Sequence, residues 1–204
     1  MLHCGIVILA AGEARRFGRP KQLALFQGTT LIRRCVQTAL GSRCRPVIVV
    51  TGNQSDAMKL EIAEFPVSVI VNEHWQDGMG TSIAAGVKSL AQSDPKPEAV
   101  CLLLCDQPMI ASDTIDKLLD CFTAGGKLIV AASYCGTVGT PAVFAARLFD
   151  ELIDLCGSQG GKSVIQRHSS EVCAIDLPEA AADIDTEADL ARFSDSTQSA
   201  FHQS

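Results

Sequence analysis

Apolar residues in this chain fall in short continuous blocks, separated by stretches where they recur every three or four positions. Five blocks rich in β-branched residues, GIVILA (5–10), PVIVVT (46–51), VSVIV (67–71), AVCLLL (99–104) and LIVAA (128–132), show no polar alternation. A strand with one solvated face alternates, so blocks like these suit strands covered on both faces, as in a mostly parallel sheet. Between them, residues 30–40 place Leu31, Ile32, Cys35, Val36, Ala39 and Leu40 on one helical face, and residues 55–65 and 82–90 repeat the pattern more weakly. The order βαβαβαβ predicts an α/β fold of three layers, helices on both faces of a mostly parallel twisted sheet. Crossovers should be right-handed, with ligands at the carboxyl ends of the strands.

The later chain is less regular. Residues 112–124 predict a helix with Ser112 as N-cap, Asp113 in the first turn and Gly125 just past the end. Residues 147–155 and 160–167 predict two more helices, and 171–175 a late strand. Thr186 and Asp189 have the spacing of a reciprocal capping box before a helix at 187–193. The polar ending SDSTQSAFHQS predicts a flexible tail over 194–204. No repeat or low-complexity linker interrupts residues 1–193, so they are expected to form one domain, a size that buries a full core without staples.

Charge narrows the class of partner. Lys plus Arg number 17 against 23 Asp plus Glu, a net 17 − 23 = −6, which argues against a surface that binds nucleic acid. No apolar run reaches the ~18 residues of a membrane span, and no signal peptide is evident, so a cytoplasmic location without membrane attachment is expected. The nine cysteines are then expected to be reduced thiols. Cys101 and Cys105 have no second closely spaced ligand pair to complete a zinc site.

Against this acidic background, one basic segment stands out. GIVILA runs directly into a loop that carries Gly12, Gly18, Arg15, Arg16, Arg19 and Lys21. Glycines let backbone N–H groups approach phosphate oxygens, and fixed cations offset a triphosphate's negative charges. The loop is neither GxxxxGK[ST] nor GxGxxG, so P-loop NTPases and dinucleotide oxidoreductases fit poorly. A second block, NEHWQDGMGTSIAAG (72–86), sets a Gly-rich turn before a helix with Thr81 and Ser82 in its first turn. Trp75, the one tryptophan, is read as a packing residue. In LLLCDQP (102–108) a buried strand ends in Asp106. A carboxylate there calls for a cation, and Mg²⁺ is the obvious one. In ADIDTEADL (182–190), Asp183 and Asp185 share one face of an extended segment, and Asp185, next to the helix cap, is the candidate second metal ligand. The four histidines, His3, His74, His168 and His202, are scattered and suggest no catalytic role.

LAAG followed by Arg16, Gly18 and Lys21 resembles the LAAGxxxRxGxxK signature of the sugar-nucleotide and cofactor nucleotidyltransferases. Four blocks in order between Gly5 and Phe193 are similar to the molybdenum cofactor cytidylyltransferases, close relatives of the guanylyltransferases of the same pathway. The resemblance implies a Rossmann-like nucleotidyltransferase fold and Mg²⁺-dependent transfer of a nucleoside monophosphate to molybdopterin with release of pyrophosphate. It further implies that Leu9, Ala10, Ala11, Gly12, Lys21, Gly80, Thr81 and Ser82 contact the nucleotide. Arg16, Lys21 and Asp106 would serve catalysis, and Asp106 with Asp185 would hold the metal. LAAG rather than the guanylyltransferases' LAGG favours CTP.

Two departures bear on the acceptor. Thr140 stands where the family has the His of GHP, and Ser158 where it has the Asp of GDxGAR. A guanylyltransferase, an enzyme acting on a sugar phosphate or related acceptor, and a non-catalytic nucleotide-binding regulator therefore stay open. Transient contact with a molybdoenzyme or its chaperone is a further expectation.

Overall fold

The computed structural model describes residues 2–12 and 17–193. Arg16 and the expected tail at 194–204 lie outside the described residues. A seven-stranded sheet runs in the order β5, β4, β1, β6, β8, β7, β9. Its strands are β1 (Cys4–Ala10), β4 (Val47–Thr51), β5 (Ser68–Val71), β6 (Ala99–Leu104), β7 (Ile129–Tyr134), β8 (Thr137–Ala145) and β9 (Val172–Asp176). Two short strands, β2 (Leu25–Phe26) and β3 (Thr29–Thr30), form a separate hairpin. Every pairing in the large sheet is parallel except those of β8, which runs against both β6 and β7. The mostly parallel α/β architecture expected from the sequence is therefore the one observed.

The helices are α1 (Leu31–Gly41), α2 (Ser55–Glu61), α3 (Met79–Ala91), α4 (Ser112–Gly125), α5 (Phe149–Ile153), α6 (Gly161–Arg167) and α7 (187–193). The central strands β1 and β4 are buried along their whole length, which is why their sequences show no alternation. One core gathers Ile6, Ile8, Ile32, Val36, Ile115 and Leu118 beneath α1 and α4. The other gathers Val7, Val50, Ile83, Val87, Phe144 and Leu152 beneath α3 and α5. Gly86 permits the close seating of α3, because a Cβ there would stand 2.4 Å from Val7 Cγ1.

Two local expectations are corrected. The helix expected over 55–65 ends at Glu61, where the chain turns and buries Ile62. Phe65 precedes Pro66, a position that disfavours helix. Ser112 does not cap α4. Ala111 takes that position, and the Ser112 hydroxyl donates to the Thr38 carbonyl of α1 at 2.8 Å. Residues 137–145, outside the elements the pattern predicts, form the long strand β8. A two-residue turn, Cys135 and Gly136, both at positive φ, folds it back on β7.

The register of β8 shifts midway: Ala131 pairs with Ala142, but Ala132 pairs with Gly139. Thr140 and Pro141 therefore bulge out of the ladder beside the end of β6, where a proline lacking an N–H is tolerated. The nine cysteines are free, and Cys121 and Cys173 approach to 3.1 Å between sulfurs. No helix among the described residues is long and apolar enough to cross a membrane.

Candidate active site

A cleft of about 410 Å³ opens at the carboxyl ends of β1 and β6. Leu9, Ala11 and Gly12 form its floor as the chain leaves β1, and Trp75, Gln76, Gly78, Met79 and Ser82 form one wall. Lys21, Asp106 and Asp185 stand on the other side. The cleft thus has one aromatic and amide-bearing end and one charged end.

The charged end is assembled from three distant parts of the sequence. Lys21 opens a single 3-10 turn, Lys21–Leu23. Asp106 follows β6, whose pairing with β1 continues to the Cys105 N–H on the Leu9 carbonyl at 3.3 Å. The Ile184 N–H donates to the Asp106 carbonyl at 2.9 Å, which brings the neighbouring Asp185 alongside. The Lys21 ammonium then donates to Asp106 Oδ2 at 2.6 Å and Asp185 Oδ1 at 2.9 Å. Burial pushes the Lys21 pKa down, but the two carboxylates outweigh it and hold the group above its ordinary range.

Asp106 Oδ1, in contrast, is buried and has no hydrogen-bond partner among the described residues. A buried carboxylate oxygen without a donor is costly, and a cation would satisfy it. The donor set fits Mg²⁺, which commonly takes one or two carboxylates and completes its shell with water and phosphate oxygens. No group of three or more His, Cys, Asp or Glu capable of holding a metal forms among the described residues. Burial and the nearby Asp106 charge push the Asp183 pKa up to about 6.

The other expected nucleotide contacts divide. Leu9, Ala11, Gly12, Lys21 and Ser82 line the cleft. Ala10 is buried, and its carbonyl is held by the Gln22 amide at 3.0 Å. Gly80 and Thr81 stand behind the lining. A Cβ on Gly80 would come within 2.8 Å of the Cys156 backbone, and the Thr81 hydroxyl is engaged with the His74 and Gly78 carbonyls.

The glycines of the second block thus admit the 156–158 loop against the start of α3. Trp75 does pack, its ring filling the space a Cβ at Gly52 would need, yet it also borders the cleft. Thr140 presents its carbonyl to the buried Gln107 amide at 3.3 Å, and the same amide donates to the Ala180 carbonyl at 2.8 Å. Cys105 is no candidate nucleophile. Burial, then the charges of Cys35 and Asp106, push its thiol well above the ordinary range.

Residues 6–172 match the MobA-like NTP transferase domain family. The chain belongs to this family. The resemblance read from the sequence is borne out at that level, and the domain is a nucleotidyltransferase type whose members bind a nucleoside triphosphate and a phosphate-bearing acceptor.

Among solved structures, Rv0371c from Mycobacterium tuberculosis superposes with a TM-score of 0.80 at 28% identity, covering 95% of this chain and 98% of that one. A manganese complex of Rv0371c gives 0.77 at 27% identity, again over 95% and 98%. The molybdopterin-guanine dinucleotide biosynthesis protein A of Archaeoglobus fulgidus shares the fold, with a TM-score of 0.72 at 17% identity over 96% and 99%. In sequence, the purine catabolism protein PucB of Bacillus subtilis is 24% identical over 85% of this chain and 91% of its own length. Nicotine blue oxidoreductase of Paenarthrobacter nicotinovorans is 33% identical over 55% of this chain, which spans about half (54%) of that relative.

Proposed function

We propose that this domain transfers CMP from CTP to the phosphate of molybdopterin, releasing pyrophosphate in a Mg²⁺-dependent reaction. The observation that carries the reading is the buried Asp106 Oδ1, without a hydrogen-bond partner among the described residues, beside the Lys21 ammonium at the charged end of a nucleotide-sized cleft. A regulator that only held nucleotide would have no need to bury an unsatisfied carboxylate oxygen at that point.

In the proposed reaction an acceptor phosphate oxygen attacks the α-phosphorus. A new P–O bond forms, and the bond to pyrophosphate breaks with its electron pair leaving on the pyrophosphate. The acceptor phosphate is already ionised near neutral pH, so no general base is required, and the protein's work is alignment and charge neutralisation. Lys21, with Arg16, offsets charge on the triphosphate and on the leaving pyrophosphate. The N-terminus of α3, at Gly78 and Met79, faces the same cleft and favours an anionic ligand. Asp106, with Asp185, would hold Mg²⁺, which when bound supplies positive charge at the α-phosphate oxygens.

The base preference rests on Ala11. It is buried and lines the cleft floor, where its methyl group takes space that glycine would leave to a purine. The test is a matrix of CTP and GTP against molybdopterin, sugar 1-phosphates and methylerythritol phosphate, read by pyrophosphate release with Mg²⁺. CTP with molybdopterin should be fastest. Faster release from GTP would overturn the base assignment, a faster sugar phosphate the acceptor, and no release from any pair the catalytic reading itself.

A further inference from the structure

Gln22 is a buried polar side chain adjacent to Lys21 on the same 3-10 turn. Its amide nitrogen donates to the carbonyls of Ala10 at 3.0 Å and Gly12 at 2.8 Å. A primary amide has two N–H donors, and here the two carbonyls it serves lie two residues apart on the loop leaving β1. In a planar trans peptide the C=O and the following N–H point in opposite directions. Holding the Ala10 carbonyl therefore fixes the direction of the Ala11 N–H and sets the path of the floor residues through the cleft. Gly12 is exposed and lines the cleft, and among the described residues a Cβ there would meet nothing within 4 Å. The turn that delivers the Lys21 ammonium to Asp106 thus also delivers the amide that shapes the loop.

We propose that Gln22 is a positioning residue for the nucleotide, holding the Ala10–Gly12 turn in its triphosphate-binding path in register with Lys21. This role rests on the nucleotidyl-transfer reading of the site. Two variants of the full chain test it: Gln22→Met, of similar length without donors, and Gln22→Glu, of the same shape with acceptors facing the two carbonyls. The measurements are the nucleotide Kd from the quenching of Trp75 fluorescence by CTP, the KM for nucleotide and for acceptor, and Tm.

Loss of two hydrogen bonds predicts a rise of about tenfold or more in nucleotide Kd and KM. The acceptor KM should stay unchanged. The Glu variant should recover toward wild type as pH falls, because a protonated carboxyl regains one O–H donor, whereas the Met variant should not. Should Gln22→Met fail to fold, the pH dependence of Gln22→Glu still decides the matter. Unchanged nucleotide Kd in both variants would overturn the proposal, as would equal rises in nucleotide and acceptor KM that track a fall in Tm. A wild-type protein that binds CTP without transferring CMP defeats the functional reading, while the Kd and pH arms still test Gln22. One that binds no nucleotide overturns both.

Discussion

Replacing Lys21 with Met removes the cation between two carboxylates while keeping a side chain of similar length. Lys21 contacts Asp106 at 2.6 Å and Asp185 at 2.9 Å, and the side-chain exposures are 13% for the lysine, 21% for Asp106 and 42% for Asp185. Breaking a fully buried pair costs about 3–5 kcal/mol, and an exposed pair contributes about 0–1 kcal/mol. A nearly buried lysine with one half-open partner falls between these limits, at about 2 kcal/mol. For a chain of this length that corresponds to a fall in Tm of about 4–8 °C.

The pH dependence of this loss has a definite sign. Lys21 is raised above its ordinary value, so its contribution is fully present below the unfolded lysine pKa, about 10.4, and is lost as pH rises through the higher folded value. Calorimetry should therefore show the gap between wild type and Lys21→Met holding steady between about pH 6 and 9 and closing only in strong alkali. Pyrophosphate release should fall by about a hundredfold or more, as expected for removing a fixed charge from a developing anion. A Tm within about 1 °C of wild type, or a gap that closes near neutrality, would refute the reasoning.

Asp183 offers a test of opposite sign. Its folded pKa, near 6, is raised by burial and by Asp106, so the folded state holds the proton more tightly and stability falls as pH rises from about 4 to 6. Asp183→Asn, in a chelator, should then be more stable than wild type above pH 6. The side chain is partly open to water, so the gain should not exceed about 1 kcal/mol, and it should vanish below about pH 4. A loss of stability at pH 7 would contradict the assigned cause. Gly78→Ala should lower Tm, because φ of +120° strongly favours glycine and a Cβ would stand 2.2 Å from the Gly157 carbonyl oxygen. The expected cost is at least about 1–3 kcal/mol, and an unchanged Tm would show that the 156–158 loop is not held there.

Much of this molecule is legible in its sequence where one local rule acts alone. The blocks at 5–10, 46–51 and 99–104 mark strands because two-sided burial removes alternation, whereas the 67–71 block forms the edge strand β5 with no residue fully buried. The Thr186 and Asp189 capping box forms as spaced, with the Thr186 N–H on Asp189 Oδ2 at 3.0 Å and the Asp189 N–H on the Thr186 hydroxyl at 3.1 Å. Loop composition, strand position and family pattern single out Lys21, Asp106 and Asp185, and the fold brings them into contact.

Less was legible where the determinant is a distant partner. Ser112 has the chemistry of a cap but is drawn away by the Thr38 carbonyl. Gly80 reads as a ligand-facing glycine, and its smallness also admits the Cys156 backbone. Gln22 looks like an ordinary residue after a lysine, because nothing local reveals that it meets carbonyls ten and twelve positions earlier. Strand β8 carried only Gly136 between apolar runs as a local signal, and its bulge at Thr140 and Pro141 depends on the register against β7.

The central claim is that an acceptor phosphate displaces pyrophosphate from the α-phosphorus of a nucleotide at Asp106. Incubating the protein with CTP labelled at the α-phosphorus, Mg²⁺ and molybdopterin tests it most directly. The account predicts that the label moves onto the acceptor, that the released pyrophosphate is unlabelled, and that Asp106→Asn abolishes the transfer while remaining folded. Label recovered only as CTP or free CMP, or transfer undiminished in Asp106→Asn, would contradict it.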